Sequence, residues 1–356
     1  MKQLSQIYLL LLLVTGVTGC TTIGYYSQAV SGHLSLMMGG DSVNGLIASD
    51  ATPDELKAKL TTSQRARQFA RETLSLPVGD AFTDYVALNR PWVVVNLVAV
   101  PEFSLEPHRW CYPVLGCQAY RGYFDLDDAE TEQATFQEAG YDTFIGGVTA
   151  YSTLGWFDDP LHSGFTNLSD DRMVALMFHE LAHRVVYIGE DTAFNESFAT
   201  AVELEGLKLW SNRSGDPESF QRAFERLQQR NQTLALVETT TAQLEALYQQ
   251  RDRLSQESMR ERKADLMAGL LEAYSELSRQ WTQPGPFGAS PTRLNNANLA
   301  LFQQYNQYVP GFRQLLRDQD HDFEAFYRAV EALSERPETE RSQRLAELSE
   351  RFVEDF

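Results

Sequence analysis

The sequence has few basic residues for its length, and beyond its N-terminus it lacks any long apolar run. Among 356 residues, 30 are lysine or arginine and 49 are aspartate or glutamate, so the formal net charge is −19. A nucleic-acid partner requires a basic face, and this composition therefore argues against one. After the first twenty residues, no stretch reaches the about 18 consecutive apolar residues of a membrane span. Repeats and low-complexity linkers are also absent, and the 43% of hydrophobic residues favours a folded globular chain.

The first twenty residues have the order of a bacterial lipoprotein signal. Lys2 precedes an apolar segment over residues 7–14, and small residues then lead to Cys20. Because this segment is too short to span a bilayer comfortably, residues 1–19 are interpreted as a cleaved signal peptide. The ending VTGC resembles the lipobox, so we expect Cys20 to carry the lipid that anchors the mature chain. Thr21, rather than aspartate, then favours the periplasmic face of the outer membrane of a Gram-negative cell; an ordinary secretory signal is the alternative.

The chain has only three cysteines, and two of them lie close together in sequence. Cys111 and Cys117 flank a segment with Pro113 and Gly116, residues that favour a tight turn. In an oxidising compartment such a pair is expected to form a disulfide. Two buried free thiols are the alternative. The nearby His108 does not complete a usual zinc pattern with them.

The order of apolar and polar residues predicts an α+β fold. An apolar, β-branched run over residues 92–100 indicates a buried strand, and residues 120–126 and 143–153 are further strand candidates. Residues 25–75 have helical spacing, and nearly everything after Asp170 is expected to be helical. We therefore predict a small, mostly antiparallel sheet packed on the apolar helix that contains His179 and His183 and followed by a large α-helical region.

The same pattern suggests how the chain is organised after the signal peptide. Residues 20–215 are expected to form the sheet and the helix that contains His179 and His183. Residues 216–356 are expected to form a helical region. Within the latter, a polar periodic stretch over residues 217–281 predicts two long helices packed as a hairpin. The charges of this stretch are interpreted as a solvated helix face.

The clearest chemistry lies in the segment RMVALMFHELAHRVVY, which contains an H-E-x-x-H motif. His179 and His183 are four residues apart, so on a helix both imidazoles can bind one metal ion. Glu180 lies beside that face, where its carboxylate can reach a metal-bound water. The apolar neighbours predict a buried helix that holds these side chains rigidly. Two core histidines without a metal are the alternative.

A catalytic zinc needs three protein ligands and an open fourth position. The metzincin pattern would place a third histidine at position 189, but that residue is Gly189. If the first helix continues to Gly189 and an antiparallel second helix begins at Asp191 or Thr192, Glu196 lies level with His183. Glu196 is therefore the expected third ligand. The competing candidates are Glu190, Asp191 and Glu203.

The motif HELAHR followed closely by NESFA resembles the gluzincin metallopeptidases. More widely, the chain resembles a bacterial family of lipoproteins named for a predicted aminopeptidase activity. The segments that carry this resemblance are YYSQAVSGH, WCYPVLGCQAYRGYF, GGVTAYSTLGWFDDP, FHELAHRVVY, FNESFA and NNANLALFQQY. The resemblance implies that His179, His183 and Glu196 bind one Zn²⁺ per chain and that Glu180 is the general base. Ala199 replaces the aspartate that orients a histidine in gluzincins, so Thr200 or Glu203 is expected in that role.

The resemblance implies a zinc peptidase that acts on a peptide or protein substrate and meets the membrane through Cys20. A non-catalytic metal-binding lipoprotein, acting as a binding or scaffold module, is the alternative. Gly146–Thr153 is a candidate for binding the substrate backbone by strand addition, or a plain structural strand. Tyr151 in this segment is the candidate substrate-binding residue. The tyrosines that can stabilise the oxyanion are Tyr151, Tyr187 and Tyr305.

Overall fold

The computed structural model of the chain describes residues 24–112, 116–150, 153, 157–289, 291–302 and 307–354. Within these residues the fold is α+β, as the sequence predicts. The helices are α1 (24–38), α2 (Val43–Ala48), α3 (Asp54–Glu72), α4 (Leu126–Glu138), α5 (Ser163–Thr166), α6 (Asp170–Ala182), α7 (Thr192–Ser214), α8 (Glu218–Tyr248), α9 (Gln256–Ser278), α10 (Asn296–Phe302), α11 (Val309–Asp318), α12 (Phe323–Ser334) and α13 (Glu338–Arg351). The strands are β1 (Asp41–Ser42), β2 (Asp84–Val86), β3 (Val94–Pro101), β4 (Trp110–Tyr112), β5 (Gly116–Gln118), β6 (Arg121–Tyr123), β7 (Tyr141–Val148) and β8 (Leu161–His162).

The described strands form two three-stranded sheets and one hairpin. In the longer sheet, β3 is the central strand and pairs antiparallel with β6 and β7. In the smaller sheet, β2 pairs antiparallel with β1 and parallel with β8. The predicted strand over residues 120–126 shrinks to β6, because Leu126 begins α4. The Asp125 side chain caps that helix by accepting a hydrogen bond from the Asp127 N–H.

Cys111 and Cys117 lie opposite each other in the β4–β5 hairpin and are joined by a disulfide. The hairpin rests on the turn that follows α6. The Glu190 carboxylate accepts a hydrogen bond from the Cys117 backbone N–H at 3.4 Å and lies 3.8 Å from the Arg109 guanidinium. The disulfide-linked hairpin is therefore held beside the segment that carries the H-E-x-x-H motif.

The largest hydrophobic cluster surrounds α6 and α7. Helix α6 packs mainly on α7 and α3, with Met177 and Phe178 fully buried between them. The same cluster includes Phe312 of α11 and Phe326 of α12. The core therefore continues across the division predicted at residue 215. The buried side chains of β3 belong to separate clusters, so the packing of the sheet on α6 stays a prediction.

Helices α8 and α9 pack against each other over the stretch in which a helical hairpin was predicted. Their contact has its own apolar cluster, in which Val237 and Leu244 of α8 meet Leu270 of α9. Arg222 and Arg226 of α8 pair with Asp171 in the first turn of α6. In the part of the chain that the structure describes, no helix combines the length and apolar character needed to cross a membrane.

Candidate metal centre

Helix α6 ends earlier than the sequence suggested. It stops at Ala182, and His183 is its C-cap residue. The prediction that this helix continues to Gly189 is therefore wrong. After His183 the backbone makes two tight turns, in which the Arg184 and Val185 N–H groups donate to carbonyls three residues earlier. The chain then reaches Glu190, whose φ of 68° reverses its direction before α7.

Asn195 fixes the segment that follows this early ending. Its Oδ1 accepts a hydrogen bond from the Ile188 N–H at 2.9 Å, and its Nδ2 donates to the Ile188 carbonyl at 2.8 Å. Asp191 caps α7 by accepting from the Phe194 N–H at 3.1 Å and is itself paired with Arg341. These side chains satisfy backbone groups of the segment between the helices and of the first turn of α7. They also fix the first turn of α7, which carries Glu196.

We expect Asn195→Ala to destabilise the protein by about 1–2 kcal/mol, because it leaves the Ile188 N–H without a partner and its carbonyl with only the bond from the Asp191 N–H. Zinc affinity should fall as well, since the start of α7 loses its fixed position. Urea unfolding and zinc titration measure the two effects. Asn212→Ala is the matched control, because Asn212 lies exposed on the same helix. Equal unfolding midpoints for the two variants would contradict this role for Asn195.

The structure brings His179, His183 and Glu196 together, with their ligand atoms within 4.8 Å of one another. One Glu196 oxygen lies 3.3 Å from His179 Nε2, and the other lies 3.7 Å from His183 Nε2. Ligand atoms around a tetrahedral zinc with bonds of about 2.1 Å lie about 3.4 Å apart. Two imidazoles and one carboxylate are also a known catalytic donor set. These residues therefore fit a single zinc ion.

The carboxylates that competed with Glu196 as third ligand make other contacts in the structure. Asp191 caps α7 and pairs with Arg341, and Glu190 is exposed and faces the β4–β5 hairpin. Glu203 lies behind His179, with its Oε2 3.1 Å from Nδ1 of the imidazole. Since His179 turns Nε2 towards Glu196 and Nδ1 towards Glu203, the latter carboxylate orients the ring and favours the proton on Nδ1. Of the two partners considered from the sequence, the structure places Glu203 in this position.

We expect Glu203→Gln to weaken zinc binding by about tenfold, because the amide replaces a charged acceptor for the His179 Nδ1 proton. The loss should appear in competition titrations with a chelator, and excess zinc should restore peptide hydrolysis. Glu238→Gln makes the same change at an exposed position of α8 and serves as the control. An unchanged zinc affinity in Glu203→Gln would show that this contact does not support the site.

Burial and neighbouring charges move the pKa values of the site in different directions. Burial raises the pKa of Glu180 to about 7, although the His179 charge opposes this shift. Burial, assisted by the His179 charge, lowers the pKa of His183 to about 4. Burial also disfavours charge on His179 and Glu196, but their mutual hydrogen bond and the neighbouring charges together outweigh it, so the His179 pKa is raised and the Glu196 pKa lowered. Neutral His183 and anionic Glu196 are the forms that bind a metal.

Two residues that the sequence analysis did not single out lie near Glu196. Burial raises the pKa of Tyr120 to about 12, and the Tyr187 and Glu196 charges add to this shift. Tyr120 follows the β4–β5 hairpin, which rests on the turn after α6. The charge of Arg230, on α8, contributes to lowering the Glu196 pKa, and its guanidinium lies 4.9 Å from the centre of the Phe302 ring. The sequence marks neither residue as part of a site, because tertiary packing brings them there, although Tyr120 lies in one of the segments that carry the family resemblance.

The remaining predicted residues fall into two groups. Tyr187 is 46% exposed, and its ring centre lies 6.2 Å from that of His183, so it flanks the metal ligands. Burial, with the Glu196 charge, raises the pKa of Tyr187. Tyr151, Tyr305 and Cys20 lie outside the described residues.

A comparison with protein-family models places this site in a known context. The model described as "Putative aminopeptidase" matches residues 24–345. The chain belongs to this family. The match covers α6 and α7, which carry the candidate metal ligands, and the disulfide-linked hairpin. Comparisons with curated proteins and with solved structures give no match.

Proposed function

We propose that this family member is a zinc-dependent peptidase of the gluzincin type, with Glu180 as its general base. The observation that carries the proposal is the convergence of His179, His183 and Glu196 on one point, with Glu180 next to the first ligand. The description of the family names aminopeptidase activity, which supports a peptidase. Glu180 coordinates nothing in this arrangement, so a purely structural metal site would have no use for it.

Each protein group has a definite task in this mechanism. A zinc ion held by the three ligands would supply a Lewis acid and a water of lowered pKa. Glu180 accepts the proton of the attacking water and passes it to the leaving amine. Glu203 keeps the His179 ring in place. Tyrosines keep the phenolic proton at neutral pH, so Tyr120 or Tyr187, which lie near Glu196 and His183, is the donor for the oxyanion.

We assign the binding of the substrate backbone to β7. In the described part of the chain, this strand lies at the edge of its sheet, paired with β3 on one side. An edge strand offers backbone N–H and C=O groups to an extended peptide. The space beside Gly146 and Gly147 is taken by the side chains of Phe144 and Trp92, so the peptide would approach through the backbone groups of the strand.

The experiment that tests this function is a digest of a mixed peptide library by the purified zinc-loaded chain. Each peptide is supplied with a free and with an acetylated N-terminus, and mass spectrometry identifies the cut sites. We expect hydrolysis that a chelator abolishes. Removal of single residues from free N-termini only would establish aminopeptidase action, whereas internal cuts in both sets would establish endopeptidase action. A folded, zinc-loaded chain that cuts neither set would favour the non-catalytic binding module.

We also propose that Cys20 carries a lipid that holds the protein at the periplasmic face of the outer membrane. The supporting observation is the VTGC ending after an apolar segment. Cys20→Ser should leave the protein in the soluble periplasmic fraction or as an uncleaved precursor, because no thiol remains to accept the lipid. Labelling with a radioactive fatty acid measures the effect, with Thr22→Ser as the control. Labelling that persists in the Cys20 variant would contradict the anchor.

A further inference from the structure

Helix α1 is fixed to the body of the protein along one face. The Tyr25 ring lies 3.6 Å from the guanidinium carbon of Arg121. Gln28 Oε1 accepts a hydrogen bond from the Phe124 N–H at 3.0 Å. Gly32 packs so closely on the Phe124 ring that no side chain would fit there without a shift. These contacts fix the rotation of α1 about its own axis, so its opposite face has a defined direction.

The opposite face of α1 carries a row of exposed apolar side chains. Tyr26, Val30, Leu34 and Met38 are 42%, 55%, 48% and 79% exposed. Their four-residue spacing places them along one side of the helix over about 18 Å. They are half of the eight large hydrophobic side chains that are exposed in the described part of the chain, so they form a patch rather than a random scatter. We call these four residues the α1 stripe.

The surroundings of the α1 stripe extend its apolar character. Phe157 is 55% exposed, and its ring centre lies 5.1 Å from that of His33 on α1. A row of serines follows the stripe along the helix with the same spacing. These are Ser27, Ser31 and Ser35. An apolar stripe bordered by small hydroxyl side chains suits a helix that lies in the plane of a membrane interface.

The distribution of charge along the chain favours a lipid surface as the partner of the α1 stripe. Residues 20–40 contain no Asp, Glu, Lys or Arg, although the whole chain has 49 acidic residues. This segment can therefore enter the interface without the cost of desolvating a charge. The chain from Cys20 to Gly24 also spans at most about 14 Å. A lipid on Cys20 would hold the first turn of α1 close to the headgroups.

We propose that α1 lies in the membrane interface with the α1 stripe inserted among the lipids. This second contact goes beyond an anchor at Cys20, because a lipid chain alone leaves the protein free to turn about its tether. With α1 inserted, the protein is held in one orientation on the bilayer. The helix transmits that orientation to the body through its contacts with Arg121 and Phe124.

The test uses the full mature chain in vesicles of phosphatidylethanolamine and phosphatidylglycerol. With Cys20 lipidated and Cys111 paired with Cys117, an introduced cysteine is the only free thiol. We compare Leu34→Cys with Leu209→Cys, since Leu209 is 40% exposed on α7, each carrying a fluorescent label. Lipids with a nitroxide in the upper acyl chain should quench most of the emission at position 34 and little at position 209. Iodide in the buffer should quench position 34 severalfold less than position 209.

Flotation of the vesicles tests the lipid anchor at Cys20 separately, because it shows whether the chain is bound to the membrane at all. One outcome would overturn the α1 proposal and leave the anchor intact. In that outcome the chain floats, but the lipid nitroxide quenches the label at position 34 no more than the label at position 209. A chain that neither floats nor shows quenching would overturn both. Protection of position 34 from iodide without quenching by lipid would overturn the proposal in favour of a protein contact. Cross-linking at position 34 would then show whether that contact is a second copy of this chain.

Discussion

Replacing Glu180 with glutamine should remove nearly all peptide hydrolysis and leave one zinc ion bound per chain. Glutamine keeps the shape of the side chain but cannot accept a proton from the attacking water. The expected loss in kcat/KM is about 10²- to 10⁴-fold, the usual contribution of a positioned general base. Zinc should remain, because His179, His183 and Glu196 still supply its three ligands. Steady-state kinetics and metal analysis of the same sample measure both quantities.

Glu190→Gln is the matched control for this variant. It makes the same chemical change in the turn that follows α6, at an exposed carboxylate that contacts the β4–β5 hairpin. It should keep both zinc and activity. Full activity in Glu180→Gln would show that the general base is assigned wrongly. Loss of zinc together with activity would show instead that Glu180 supports the metal.

The parts of the site that were predictable depend on spacing within one helix. The four-residue separation of His179 and His183 requires only helical geometry, and α6 provides it, although His183 is already the cap residue. The end of α6 was not predictable from periodicity, because apolar residues continue to Ile188. The segment after α6 is held instead by the Asn195 side chain, which hydrogen-bonds both Ile188 backbone groups. Hydrophobic pattern alone contains no information about such hydrogen bonds.

Contacts between distant segments account for most of what the sequence could not reveal. Tyr120, which follows the β4–β5 hairpin, and Arg230 of α8 lie near Glu196, and nothing in their local sequence assigned them to the site. Helices α6, α7, α11 and α12 share one hydrophobic core, which the order of elements along the sequence did not reveal when a boundary was predicted at residue 215. Glu203 is an intermediate case. The resemblance left Thr200 or Glu203 as the expected partner of a histidine, and only the packing of α6 on α7 shows that Glu203 meets the far nitrogen of His179.

Replacing Glu196 with alanine should remove the metal itself, and activity with it. Two imidazoles without the carboxylate leave a zinc ion with too few protein ligands. The fall in affinity should exceed the about 10- to 100-fold that the loss of an outer partner such as Glu203 causes. The variant should still fold, because α7 is held by the fully buried rings of Phe194 and Phe198 on either side of this position. Zinc titration, circular dichroism and urea unfolding measure these outcomes.

The ranking of variants makes the Glu196 assignment testable. Glu196→Ala should bind zinc most weakly, Glu203→Gln should be intermediate, and Glu190→Ala should match the parent, because its carboxylate faces the β4–β5 hairpin. Excess zinc should restore activity to Glu203→Gln but not to Glu196→Ala, since only the latter lacks a direct ligand. If Glu196→Ala bound zinc as tightly as the parent, the His₂Glu site would be wrong. The third ligand would then have to be Asp191 or Glu203, each of which would first have to leave the contact that now holds it.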